Sequence, residues 1–199
     1  MLTPVAKYPH MPSGATHDRI TLWISPLVAG LTWVLTQSDR LTLITVGTFL
    51  AGGLLLSPDL DIRSRPYKRW GWLRWLWLPY QKSIRHRSWL SHGWIIGTLL
   101  RLVYLGFWIS LFGLFLLVGM AVVQDLQGHR PWLLHLQQQG QQLFPAIQEL
   151  VQAYRSEYLA GFIGLELGAM SHGVSDGIHS GYERCVRGWQ KSSKGRSGK

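Results

Sequence analysis

The chain has 199 residues, enough for one domain with short tails, and its 20 Lys and Arg against 10 Asp and Glu leave a net charge of +10. Charged residues are only 15% of it, against about 25% in a typical soluble domain, while 11 Trp and 22 Gly suit membrane helices and their interfaces. The single Cys185 excludes an internal disulfide and any CxxC zinc site, and no binding motif accompanies the basic charge, so nucleic acid is not an expected partner.

Residues 1–19 hold no apolar run and no small-residue cleavage site, so the helices that follow are expected to direct insertion themselves. His17-Asp18 closes this segment as two adjacent ligands, or as a base and its orienting carboxylate; the plain alternative is that Asp18 caps the next helix. Ile20 to Ser38 and Leu41 to Pro58 are uncharged and close to the roughly 20 residues a membrane span needs, with Asp39-Arg40 as a tight connection. Asp59-Leu60-Asp61 comes next, with i and i+2 on one side of an extended segment, the alternative being an Asp-rich turn. Pro66 to Tyr80 mixes Trp with Lys and Arg, the composition of an interfacial anchor.

HRSWLSHG carries His86 and His92, with Ser88 and Ser91 able to cap a helix start. Leu102 to Gln124 is the clearest span. Arg130 to Tyr158 is Gln-rich with scattered apolar positions and reads as an exposed helical excursion. Tyr158 to Met170 makes a fourth, weaker span, interrupted by Glu166. In SHGVSDGIH, His172, Asp176 and His179 are spaced i, i+4 and i+7, which puts them on one face of a helix. A helical membrane domain over 1–180 and a basic, disordered tail over 181–199 complete the expected organisation, an all-α polytopic protein of about four spans.

Lys and Arg distribution orients such a chain. Residues 59–93 carry Arg63, Arg65, Lys68, Arg69, Arg74, Lys82, Arg85 and Arg87; six more lie beyond residue 176, and Lys7 and Arg19 precede the first span. The alternate loops carry only Arg40, Arg130 and Arg155. The rich side is therefore expected to be cytoplasmic, with both termini inside, in a bacterial inner membrane or another internal membrane. The same topology, derived without reference to the His and Asp clusters, puts all four on that face.

Two carboxylates held together repel unless a cation lies between them or one is protonated. Imidazole and carboxylate without thiolate suit zinc, here the first choice, or manganese, iron or magnesium. The candidate ligands are His17, Asp18, Asp59, Asp61, His86, His92, His172 and Asp176, enough for one or two divalent ions, with His17 and Asp18 also the candidate catalytic pair. Two ions activate water for attack on a phosphoester. Arg85 or Arg87 could pair with a phosphate oxygen, or could serve topology alone. Arg101 and Glu166 fall at similar depths in spans three and four and are expected to pair in support of the site.

The pieces SGATHD, SPDLD, HRSWLSHG and SHGVSDGIH, in that order, resemble a bacterial family of uncharacterised metal-binding proteins best represented in cyanobacteria, and the broader group of predicted membrane-bound metal-dependent hydrolases. The resemblance implies that the eight residues above are the matched polar positions. The expected function is a membrane-bound, metal-dependent hydrolase acting on a phosphoester or lipid-linked substrate in the bilayer. The alternatives are a non-catalytic metal protein, structural, sensing or transporting, and a soluble HD-type phosphohydrolase.

Overall fold

The computed structural model describes residues 14–85, 88–128 and 132–196, with side chains up to residue 175 apart from 132 and 135. Every regular element among them is helical: α1 (Gly14–Thr36), α2 (Asp39–Leu54), α3 (Arg65–Arg69), α4 (Leu78–Ser83), α5 (Trp89–His92), α6 (Ile96–Leu126), α7 (Trp132–Ala153) and α8 (Arg155–Arg196), with 3-10 turns at Pro58–Asp61 and Gly71–Trp77. The all-helical class is as expected. Among the described residues three helical stretches, where four were expected, are long and apolar enough to cross a membrane: Gly14–Thr36, Asp39–Asp61 and Ile96–Leu126. The fourth expected segment, 158–170, is helical within α8, but Glu166 and the polar Ser171-His172 that follows cut its apolar run short.

The α1–α2 hairpin turns at Gln37-Ser38, one step earlier than the expected Asp39-Arg40. Gln37 takes φ +49°, and the Ser38 hydroxyl accepts the Leu41 amide at 3.3 Å. Asp39 then sits in the first turn of α2, where the helix dipole favours an anion.

The main packing contact joins α2 and α8, which run side by side in the same direction. Arg40 pairs with Glu157 at 3.2 Å at one end, and Thr45 donates to the Ala160 carbonyl at 3.5 Å further along. The backbones then touch. A Cβ on Gly164 would collide with the Thr45 carbonyl and the Thr48 hydroxyl, one on Gly168 with the Phe49 carbonyl, and one on Gly52 with the Leu165 carbonyl. Small residues at such crossings let helices approach within membranes, where apolar burial drives nothing. α1 packs antiparallel on α2, with Thr21 against Gly53.

The stretch 65–83 folds as α3, a 3-10 turn and α4, and buries Tyr67, Trp77 and Tyr80 with Leu60 against Leu100 and Tyr104 of α6. Trp77 stacks edge-on against Tyr80 at 5.5 Å, and Tyr104 donates its hydroxyl to the Leu76 carbonyl. Trp72, 79% exposed, and Trp75 point outward among exposed Lys68, Arg69 and Arg74. α7 is exposed along its described length, as expected of the Gln-rich segment. The α8 backbone is helical through residue 196; no proline lies between Met170 and Arg196 to stop it.

Candidate metal centre

Five of the predicted residues meet at one end of the bundle. Pro58 occupies the first position of its turn, where a missing amide is no loss, and its fixed φ starts a 3-10 turn, the Asp-rich turn of the two readings open for this motif. That turn carries Asp59 and Asp61. His172 lies one turn beyond Gly168, so the α2–α8 backbone contact brings it to the turn that ends α2. His172 Nε2 is 3.2 Å from Asp59 Oδ2. The His92 ring lies between the two carboxylates, with Nε2 3.8 Å from Asp59 Oδ1 and Nδ1 3.9 Å from Asp61 Oδ2. The His17 ring stacks on His172, centroids 4.0 Å apart and planes tilted by 34°. Asp61 and His172 are buried, whereas Asp59 and His92 each leave 23% of the side chain exposed. The cluster thus has a closed wall and one open edge.

His92 ends the four-residue α5 rather than starting a helix, and the Ser88 side chain makes no capping bond. The Ser91 hydroxyl instead lies 2.8 Å from His92 Nδ1. Ser91 was read as a cap; its hydroxyl fixes the orientation of the ring. A serine next to a candidate histidine recurs at Ser171-His172, where Ser171 lies 3.4 Å from Thr21 of α1, and this adjacency was the signal available in the sequence. His86 lies outside the described residues. Asp176 and His179 have their backbone in α8 at the expected helical spacing, but their side chains lie outside the described set.

Asp18 does not join the cluster. Asp18 sits within α1, four residues beyond Gly14, rather than capping it. Arg69 grips it at 2.6 and 3.0 Å and Arg65 approaches to 3.3 Å, while Arg69 also donates to the Leu54 carbonyl at the end of α2 at 2.9 Å. This bidentate clamp ties α3 to α1 and α2. Asp18→Asn is expected to lower unfolding stability by about 1.5–3 kcal/mol, the range for hydrogen bonds to charged groups, and to leave metal content unchanged. Thermal unfolding beside elemental analysis reads both, and loss of metal would return Asp18 to the ligand set.

The expected Arg101–Glu166 ion pair is replaced by an indirect arrangement. Both are buried, but Arg101 donates to the Ser91 carbonyl and to the Thr98 hydroxyl, each at 3.0 Å, and Glu166 Oε1 accepts the Ile95 amide at 2.8 Å. The two side chains grip the same turn instead of each other. Burial pushes the nearby Tyr80 hydroxyl above its ordinary range, while the Arg101 charge pulls it back.

Among the described residues no three His, Cys, Asp or Glu side chains stand ready to hold a metal ion. The chemistry of the set nevertheless fits one. Two neighbouring carboxylates and three imidazoles, all nitrogen and oxygen donors, are gathered where water is scarce, and a cation is what offsets such a pair of acids.

Comparison with known proteins agrees. An uncharacterized protein of Aquifex aeolicus (strain VF5) is 45% identical over 58 residues, which is 29% of this chain and 40% of that relative, so the match spans less than half of the relative's length. No solved structure matches. The family model described as "Uncharacterized metal-binding protein (DUF2227)" matches residues 12–186, a stretch that contains every residue of the cluster, and the chain belongs to that family.

Proposed function

We propose that the protein is a membrane-embedded, metal-dependent hydrolase with its ion at the cytoplasmic end of the bundle, acting on a phosphoester or lipid-linked substrate. The carrying observation is the Asp59 carboxylate set between His172 at 3.2 Å and His92 at 3.8 Å, with Asp61 and His17 alongside. Asp59, Asp61, His92, His172 and His17 would hold the ion, joined by His86 and Asp176. Zinc is the first choice, with manganese, iron or magnesium as alternatives.

A bound ion of this kind supplies a water activated near neutral pH and a positive centre for a developing oxyanion. The protein's own contribution is position and access. Ser91 orients the His92 ring, and stacking against His172 fixes His17. Asp61 and His172 form the buried wall of the site, while the partly exposed edge at Asp59 and His92 would admit water and substrate. A catalytic ion keeps one position open, and this uneven burial favours the hydrolase over a purely structural ion, which is closed on all sides.

Two features support the membrane setting: the three apolar helices and the exposed Lys, Arg and Trp between α2 and α6. The packing of α8 beside α2 from Glu157 to Gly168 supports reading it as a fourth crossing, sheltered by its neighbour where Glu166 interrupts it. Positive charge on the site end supports a cytoplasmic orientation.

The test is elemental mass spectrometry on detergent-purified protein beside a His92→Ala/His172→Ala double variant, followed by a phosphoesterase screen. Metal in the parent and its loss from a still-folded variant are the expected results. A parent that holds no metal after reconstitution would reduce the cluster to a polar plug. Bound metal with no exchangeable water, seen by relaxation of a manganese-loaded sample, would favour the structural reading.

A further inference from the structure

Between α5 and α6 the backbone makes an unfavourable turn. Ile95 has φ +64° and ψ −55°, and the Trp94 carbonyl accepts the Ile96 amide at 2.6 Å. This is the positive-φ form of the γ-turn, rare and strained for any L-residue and more so for a β-branched one. The chain around it is tightly folded. The Gly93 amide returns to the Trp89 carbonyl at 2.8 Å, and a Cβ on Gly97 would lie 2.8 Å from the Ser91 carbonyl. Strain of this kind persists only where surrounding groups over-determine the backbone.

The surrounding groups are the two buried charges. Glu166, on α8, reaches across to accept the Ile95 amide, the donor at the strained residue itself. Arg101, 2% exposed, holds the Ser91 carbonyl from one side of the turn and Thr98 from the other. Arg101 lies within Coulombic reach of Glu166, Tyr80 and Asp61, so the two buried charges offset each other without touching. The segment thus pinned carries Ser91 and His92, and the His92 ring sits between Asp59 and Asp61.

We propose that Glu166 and Arg101 are positioning residues for His92. By holding the Ile95 turn in its strained form they aim the imidazole at the two carboxylates, and they link the α2–α8 packing to the metal site. The proposal rests on the reading of His92 as a ligand. It explains why two charged side chains lie inside apolar helices, where they are expensive unless they serve a site.

The experiment compares the parent with Glu166→Ala, Glu166→Gln, Ile95→Gly and the Glu166→Ala/Ile95→Gly double variant, all full-length in detergent. Cobalt(II) absorption reports coordination, zinc competition reports affinity, and hydrogen exchange of the peptide covering 91–97 is followed without metal. Glu166→Ala is expected to weaken cobalt binding by about 10–100-fold, the usual effect of losing a group that orients a ligand, and to speed exchange of that peptide. Glu166→Gln keeps the acceptor and stays close to the parent. Glycine adopts positive φ without steric penalty, so Ile95→Gly should restore most of the affinity lost in Glu166→Ala. A merely structural loss of a buried charge would not be rescued by glycine at 95, and that failure overturns the proposal, as does unchanged exchange in Glu166→Ala. A parent that binds neither cobalt nor zinc overturns the metal reading instead, and the exchange data still decide whether Glu166 holds the turn.

Discussion

Asp59→Asn is expected to cut zinc affinity by more than about 100-fold, beyond what loss of an orienting partner causes, while leaving the metal-free protein as stable as the parent or more so. The argument is one of sign. Asp59 faces His172 and His92 and shares its turn with Asp61. If its role were to form buried ion pairs with protonated imidazoles, removing its charge would leave those cations uncompensated and destabilise the fold by several kcal/mol. If its role is to bind a metal, the metal-free state already suffers from two adjacent acids, and the amide, which keeps the shape and much of the hydrogen bonding, relieves that repulsion. Isothermal titration with zinc and thermal unfolding in chelator separate the two. A less stable metal-free Asp59→Asn that still binds zinc tightly would make the cluster a salt-bridge network.

Gly168→Ala is expected to destabilise the protein by about 1–3 kcal/mol, the usual penalty for forcing extra volume into a packed interior, and to lower metal affinity with it. The added methyl would press on the Phe49 carbonyl and lie 2.7 Å from the Gly53 amide, and these are backbone atoms that cannot swing aside. α8 must move off α2, and His172, one turn further along, moves away from Asp59. Gly161→Ala is the matched control. Its methyl would meet Ile44 and Thr48 at 3.7 Å, ordinary contact, so helix propensity alone decides and stability should rise by about 0.5–1 kcal/mol. Equal destabilisation in both variants would mean that close backbone approach is not what holds these helices together.

The helices and the end at which the polar residues gather were legible in the sequence because each depends on local pattern. Uncharged runs set α1, α2 and α6, and the placement of Lys and Arg put His17, Asp59, His92 and His172 at one end before any contact was known. What was not legible depends on neighbours distant in sequence. Asp18 next to His17 looked like half of a catalytic pair; only the fold of Arg65 and Arg69 onto α1 shows that the clamp engages it. Arg101 and Glu166 have matching depths, but depth along two helices says nothing about the turn inserted between their side chains. The segment 158–170 falls short of the apolar character of α1, α2 and α6 because Glu166 and Ser171-His172 cut its apolar run short, and Gly164 and Gly168 trade side-chain volume for close contact with the α2 backbone, a contact that no pattern within α8 alone reveals.

The stacking of His17 on His172 joins the first helix to the last. The cluster is therefore incomplete in any shorter version of the chain that lacks α1 or the part of α8 up to His172. A nascent protein carrying only α1, α2 and α6 holds two acids and the His92 loop with nothing to close over them, and it gains its last wall only when α8 slots in beside α2. Under the proposed function, ion capture then becomes the closing event of assembly. Such capture would favour finished molecules over partial ones by an amount that grows with the logarithm of free metal.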